Sequence, residues 1–125
     1  MTLDEYLMGR DSKYILGDDL KANAINTVIA CNHLLTRFGE QRTVNSGWRP
    51  IAINSATVGA SATSKHITCQ ACDIHDPNGD LDEWCKDNLD VLAEIGLWLE
   101  SPAHTPGWCH VQTVPPRSGN RIFIP

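Results

Sequence analysis

The sequence predicts an α+β domain in which a small, mostly antiparallel sheet is flanked by helices. Two stretches carry apolar residues at helical spacing, and each ends at a glycine. Short segments of strand type lie between and after these stretches, and this order of helix, strands, helix and strands is typical of α+β folds. The 125 residues show no internal repeat and no obvious linker, so we expect a single domain over residues 1–125.

Two helices are predicted from the spacing of apolar residues. The first runs from Asp19 to Phe38 with apolar positions three or four residues apart, and Gly39 is a natural C-terminal stop. The second begins after the turn PNG, where Asp80 can serve as the N-cap, and its apolar stripe continues up to Gly96.

Strand segments are predicted in RTVNSGW, ACDIH, LWLE, CHVQTV and RIFI. Because side chains alternate along a strand, QACDIH places Asp73 and His75 on one face and Cys72 on the other. The same alternation in WCHVQTV places His110 on one face of the strand and Cys109 on the other. We therefore expect both cysteines to face the core and the polar side chains to face away from it.

Charge and hydropathy restrict the partners of the chain. There are 15 acidic against 10 basic residues, the formal net charge is −5, and no Lys/Arg cluster interrupts this balance, which argues against nucleic acid as a partner. The longest apolar runs are far shorter than the roughly 20 residues of a membrane span, and the N-terminus lacks the pattern of a signal peptide. We expect a protein made in the cytoplasm, with its five cysteines reduced.

Side chains that can bind a metal are concentrated in SKHITCQACD. A site built from His66, Asp73 and His110 would have three protein ligands and one open coordination position, which is the arrangement of catalytic zinc. His75 lies close enough in sequence to replace a ligand. A structural zinc site through Cys69 and Cys72 is a further alternative, although no second C-x-x-C pair exists to complete four thiolates.

SKHITCQACD resembles the S-x-H-x6-D pattern of a family of zinc peptidases. This family includes D-alanyl-D-alanine carboxypeptidases, vancomycin-resistance dipeptidases, phage L-alanyl-D-glutamate endolysins and the hedgehog signalling domain. SGWRP resembles the family's S-G-[YF]-R segment, and WCHVQ resembles its W-x-H strand. The resemblance implies the family's fold and one Zn²⁺ per chain held by His66, Asp73 and His110. It also implies that Arg49 anchors the substrate and that Ser64 supports the site or the substrate.

Two positions depart from the family pattern. Many members carry a catalytic glutamate three residues before the last ligand, where this chain has Gly107. The segment ESPAH resembles a hedgehog-type segment if TPGW is an insertion before His110; on that alignment Glu100 is the acid/base candidate and His104 a second polar group. Cys69 replaces the glycine that the family usually carries three residues after the motif histidine, which implies a different turn in this loop.

The resemblance implies a zinc metallopeptidase that cleaves peptidoglycan stem peptides with a zinc-bound water as nucleophile. The reaction would be that of a D,D-carboxypeptidase or an L-Ala-D-Glu endopeptidase, carried out by a monomer at the cell wall. A phage or prophage origin, with the role of an endolysin in cell wall degradation, is expected on the same basis. The alternative is a binding module of the same fold that keeps the zinc without hydrolysis, and Gly107 favours it.

Overall fold

The computed structural model describes residues 1–125 and consists of a five-stranded sheet flanked by helices. In chain order the elements are α1 (Leu3–Leu7), α2 (Asp18–Phe38), β1 (Val44–Ser46), α3 (Ile51–Ala56), β2 (Ala71–Asp76), α4 (Asp80–Asp87), α5 (Leu89–Ile95), β3 (Trp98–Glu100), β4 (Gly107–Gln112) and β5 (Ile122–Phe123). Short 3-10 turns lie at Arg10–Ser12 and Pro102–His104. The predicted α+β class is confirmed.

The sheet has the strand order β1-β2-β4-β3-β5. The pairs β1–β2, β2–β4 and β4–β3 are antiparallel, whereas β3 and β5 are parallel. The chain reverses direction between β3 and β4 and again between β4 and β5, so β5 returns beside β3 in the same direction. The sheet is therefore mixed, and the expectation of a mostly antiparallel sheet is corrected.

Helix α2 follows the predicted helix closely. It begins at Asp18, one residue earlier than expected, and ends at Phe38, where Gly39 takes the left-handed conformation with φ 94°. The buried face of α2 consists of Ala24, Thr27, Val28, Ala30, Cys31, Leu34 and Leu35. None of the helices, α2 included, combines the length and the apolar character that crossing a membrane requires.

The second predicted helix is divided into α4 and α5, which corrects the expectation of one continuous stripe. The division lies at Asn88, whose backbone leaves the helical region with φ −132° and ψ 46°. The side-chain amide of Asn88 donates a 2.8 Å hydrogen bond from Nδ2 to the Trp84 carbonyl. Asparagine competes in this way with the helical backbone hydrogen bonds, and an apolar stripe does not reveal such a break.

The N-terminus of α4 is capped by Asp76 from the end of β2, not by Asp80. The buried carboxylate of Asp76 accepts hydrogen bonds from the amides of Leu81 at 3.0 Å and Asp82 at 2.9 Å. Asp80 is exposed and pairs instead with Arg42, at 2.9 Å. The cap was not predicted because it comes from the preceding strand and crosses the PNG turn.

All five cysteines are free and buried. Asp73 lies opposite His110 in the β2–β4 register, and Ile74 lies opposite Cys109. Cys72 and Cys109 belong to the hydrophobic core, as the alternation predicts. Their pKa values are well above the usual range, because each thiol has a neighbouring cysteine as hydrogen-bond partner and is fully buried.

The native protein should therefore resist thiol reagents. Burial blocks access to the sulfur atoms, and the raised pKa values keep Cys72 and Cys109 protonated and poorly nucleophilic. Labelling with a maleimide followed by mass spectrometry should show little modification in buffer and five labels per chain in guanidinium. Rapid native labelling of Cys72 or Cys109 would mean that the strand faces, and with them the face of the site, are assigned incorrectly.

Candidate functional site

Three polar side chains converge on the face of the sheet opposite the two core cysteines of β2 and β4. The ligand atoms offered by His66, Asp73 and His110 all lie within 4.8 Å of one another. Asp73 Oδ1 lies 2.8 Å from His110 Nδ1, and Asp73 Oδ2 lies 3.2 Å from His66 Nε2. No other group of three histidine, cysteine, aspartate or glutamate side chains in the structure has such an arrangement. The three residues that the sequence analysis proposed as metal ligands thus lie together in the structure.

The backbone brings the three side chains together by two means. Asp73 and His110 are directly opposite each other on the antiparallel strands β2 and β4. His66 comes from the loop before β2, where its carbonyl accepts the Arg49 amide at 3.1 Å and its Nδ1 lies 2.8 Å from the Gly47 carbonyl oxygen. A side chain on residue 47 would overlap the Tyr6 backbone, so this close approach requires the glycine of SGWRP.

The two remaining metal-binding alternatives have no support in the arrangement. Cys69 and Cys72 are buried in the hydrophobic core and take no part in the cluster. His75 is exposed and lies opposite Trp108 in the strand register, outside the group of three. Cys69 itself adopts the left-handed conformation, with φ 59°, so the loop makes this turn without a glycine.

The cluster has the donor set of a zinc site, namely two imidazole nitrogens and one carboxylate. His66 Nδ1 must donate to the Gly47 carbonyl, because a carbonyl oxygen only accepts, and this leaves Nε2 with a lone pair. His66 Nε2 is buried and has no hydrogen-bond partner of suitable geometry, although Asp73 lies nearby. A buried nitrogen of this kind normally has a partner, and a cation between it and the carboxylate would provide one.

Burial and mutual contacts set the charges of the three groups. Burial lowers the pKa of His66, which favours the neutral imidazole needed for metal binding. Burial alone would raise the pKa of Asp73, but the contacts with His110 and His66 outweigh it and hold the pKa well below the usual range. Burial would also lower the pKa of His110, but Asp73 outweighs this effect and raises it. Metal binding would therefore displace a proton from His110.

Arg49 and Ser64 lie beside the cluster. Arg49 Nη2 donates to Ser64 Oγ at 3.3 Å, and the same oxygen accepts the His66 amide at 3.2 Å. Arg49 forms no ion pair, and its Nε is buried without a hydrogen-bond partner. Arg49 is therefore not neutralised by an acidic residue, and its guanidinium keeps donors for a ligand.

A cleft of about 600 Å³ contains the cluster together with Arg49, Glu100 and His104. Glu100 ends β3 and is half-buried, and burial raises its pKa. His104 is exposed on the 3-10 turn Pro102–His104. Asp73 and Glu100 are the two acidic side chains that line the cleft. Gly107, where the family's commoner glutamate would stand, begins β4 and offers no side chain.

Two further residues of the cleft were not among the predicted site residues. Gln112 is buried and lies 3.1 Å from His110 Nε2 through its Oε1 atom. Phe123 on β5 is buried and contacts the His110 ring edge to face, with the centroids 6.1 Å apart. The strand alternation places Gln112 on the same face as His110 and could have identified it. Phe123 has no such signal, because its position depends on the return of β5 to β3.

A buried carboxylate anchors the loop that carries His104. Thr105 Oγ1 donates to Asp82 Oδ2 at 3.1 Å, and both residues are buried. Asp82 Oδ1 is buried with no hydrogen-bond partner. Burial raises the pKa of Asp82 from 3.8 to about 6. The ionised form of Asp82 therefore destabilises the folded protein relative to the unfolded chain.

Asp82→Asn should stabilise the fold more at pH 7.5 than at pH 5. The folded carboxyl has the higher pKa, so its destabilising effect is absent below pH 3.8, grows between pH 3.8 and about 6, and is complete above it. The gain in unfolding free energy from the substitution should be larger at pH 7.5 by about 1 kcal/mol. Urea unfolding of both proteins at the two pH values measures this difference, and an equal gain at both would contradict the assignment.

Comparison with known proteins identifies the family. The chain matches the sequence model of the family described as Peptidase M15 over residues 5–90. No curated protein and no solved structure gave a match. The matched segment includes His66 and Asp73 and ends before His110 and Glu100, which the fold brings to the same cleft. Because the match covers more than half of the 125 residues, the chain belongs to the Peptidase M15 family of zinc D-Ala-D-Ala carboxypeptidases and endolysins.

Proposed function

We propose that this protein is a zinc peptidase that cleaves a peptide bond in a peptidoglycan stem peptide. The reaction is that of a D,D-carboxypeptidase or an L-Ala-D-Glu endopeptidase, on the fold shared by the hedgehog domain and the D-Ala-D-Ala peptidases. The single observation that carries the proposal is the convergence of His66, Asp73 and His110 in a cleft that also contains an unpaired arginine and a half-buried glutamate. The membership in the Peptidase M15 family supports the same activity.

One Zn²⁺ would be held by His66 Nε2, the Asp73 carboxylate and His110 Nδ1. These atoms provide the nitrogen and oxygen ligands of catalytic zinc sites and leave a coordination position open. When bound, zinc supplies a Lewis acid that polarises the scissile carbonyl and makes water a stronger nucleophile at neutral pH. The lowered pKa of Asp73 keeps its carboxylate ionised and available as a ligand across the physiological range.

Glu100 is the proposed general acid and base. A peptidase of this type needs a group that accepts the proton of the attacking water and returns it to the leaving amine. Asp73 is committed to the cluster, and Glu100 is the other acidic side chain of the cleft. Its raised pKa, caused by burial, brings it closer to the operating pH of such a group. His104 is the proposed second polar group, and it is exposed in the same cleft.

Arg49 is the proposed anchor for a substrate carboxylate. Its guanidinium lines the cleft, has no acidic partner, and is oriented by the hydrogen bond to Ser64. A planar guanidinium binds a carboxylate through two parallel hydrogen bonds, which would fix the direction of a stem peptide across the metal. Ser64 also accepts the His66 amide, so one hydroxyl couples the substrate anchor to a metal ligand.

The cleavage assay uses purified, zinc-loaded protein and a set of defined muropeptides, with the products identified by mass spectrometry. Loss of a terminal D-alanine would identify a carboxypeptidase, and separation of L-alanine from D-glutamate an endopeptidase. Chelator-treated protein, with activity restored by zinc, is the control. The absence of products from every muropeptide, with zinc present, would contradict the proposed hydrolysis.

The second candidate is a binding module that retains zinc without hydrolysis, acting through the same cleft. The observation in its favour is Gly107, which leaves the usual position of the catalytic glutamate without a side chain. This candidate predicts zinc-dependent binding of muropeptides with no turnover. Calorimetric titration alongside the cleavage assay separates the two functions. Under either candidate we propose a monomer that meets its peptide at the cell wall, and a phage or prophage origin.

A further inference from the structure

Gln112 lies next to the metal cluster in an orientation that its own hydrogen bonds determine. Its Nε2 donates to the Val114 carbonyl at 2.9 Å, so the amide oxygen must point the other way. That oxygen, Oε1, lies 3.1 Å from His110 Nε2. Gln112 is buried at the end of β4, which is paired on both sides, by β2 through Ala71 and by β3 through Trp98.

The acceptor at Gln112 keeps a hydrogen on Nε2 of His110, so the nitrogen that can give up its proton to a metal is Nδ1. An amide oxygen only accepts, so His110 Nε2 must carry the hydrogen of this contact. The other nitrogen, Nδ1, then faces Asp73 at 2.8 Å and the centre of the cluster. The two nitrogens of His66 have the opposite roles, because the Gly47 carbonyl holds the hydrogen on Nδ1 and Nε2 faces the cluster. Each histidine is thus held by a hydrogen-bond acceptor at the ring nitrogen that does not face the cluster.

We propose that Gln112 is a positioning residue that fixes the Nε2–H tautomer of His110 and so presents Nδ1 to the metal. The proposal rests on the proposed metal site, but it does not depend on hydrolysis. The role of Gly47 belongs to the main chain and cannot be removed by substitution, whereas that of Gln112 belongs to a side chain. Acceptors behind metal-binding histidines fix the ring and its tautomer, and their loss typically weakens metal binding by about 10- to 100-fold.

The test compares the affinity for zinc of three variants with that of the wild type. Gln112→Met keeps the length of the side chain and removes the acceptor, so it should weaken zinc binding by about 10- to 100-fold. Gln112→Glu keeps an acceptor facing His110 and should stay within a few-fold of the wild type. Gln70→Met is the matched control, because the Gln70 amide oxygen accepts only the Thr68 hydroxyl and contacts neither histidine. Competition with a chromogenic chelator at constant pH gives all four affinities.

A second measurement reports the tautomer directly and needs no variant. Long-range ¹H–¹⁵N correlation spectra of the zinc-loaded wild type should show His110 with a protonated Nε2 and a metal-bound Nδ1. The opposite assignment would overturn the proposal, as would wild-type affinity in a folded Gln112→Met protein. Zinc binding that depends on Gln112 in a protein without peptidase activity would sustain this inference and contradict the proposed hydrolysis. If the wild type is active and the Gln112→Met variant binds zinc as tightly as the wild type, the result would support the proposed hydrolysis and contradict this inference.

Discussion

His66→Ala or His110→Ala should empty the metal site and abolish hydrolysis. Each substitution removes one of the three proposed ligands, and both histidines are buried, so water does not easily replace the lost nitrogen. Elemental analysis of protein purified without chelator should give one zinc per chain for the wild type and little or none for either variant. Activity on muropeptides should fall to the background of chelator-treated enzyme.

Two controls make this result specific. His75→Ala is the matched change, because His75 is an exposed histidine on the same strand as Asp73 and lies outside the cluster. It should keep full zinc occupancy. Cys69→Ser should also keep zinc, since Cys69 lies in the core and not among the ligands. Loss of zinc from Cys69→Ser with retention in His66→Ala would favour a thiolate site and overturn the hydrolase proposal.

Glu100→Gln should retain zinc and fold but lose on the order of 10²-fold or more in kcat, which is the scale of general acid–base catalysis. The amide has nearly the shape of the carboxyl but cannot exchange a proton near neutral pH. His104→Ala should cost less, because His104 is exposed at the rim and is not the proposed proton carrier. Steady-state hydrolysis of a D-residue peptide by the three proteins measures both effects.

The matched control for this change is Glu94→Gln on α5. Glu94 is exposed and pairs with Arg37 at 3.2 Å, and it does not line the cleft. Its neutralisation should leave kcat unchanged. Full activity in Glu100→Gln would remove Glu100 from the mechanism. A zinc-loaded wild type that binds muropeptides but cleaves none would point to the binding module instead.

Local patterns in the sequence predicted the parts of the fold that depend on local physics. Helical spacing and a terminal glycine placed α2 within one residue of its observed start. Strand alternation placed Asp73 and His110 on one face and Cys72 and Cys109 in the core, and the β2–β4 register bears this out. These predictions succeed because alternation and helical spacing follow directly from which side of an element is buried.

The predictions failed where distant contacts decide the structure. The break at Asn88 and the cap from Asp76 depend on hydrogen bonds that an apolar stripe does not encode. The short helices α1 and α3 carry too few turns for a periodic signal and were not predicted. The parallel pairing of β5 with β3 depends on the path of the chain after β4, and it is this pairing that brings Phe123 to the His110 ring.

The candidate site combines local sequence signals with tertiary assembly. The family match covers His66 and Asp73 but ends at residue 90, before the third proposed ligand and the acid/base candidate. The antiparallel pairing of β2 with β4 is what places His110 opposite Asp73, and β3 beside β4 is what brings Glu100 into the same cleft. The contacts of Gly47 with His66 and of Gln112 with His110 become visible only in the three-dimensional structure.

A zinc anomalous difference map tests the proposed metal site directly. Crystals of the protein purified with zinc would be measured on both sides of the zinc absorption edge. We expect one strong peak per chain, about 2.0–2.2 Å from His66 Nε2, His110 Nδ1 and a carboxylate oxygen of Asp73. A map with no peak among these three atoms, or with its peak beside Cys69 and Cys72, would contradict the proposed metal site.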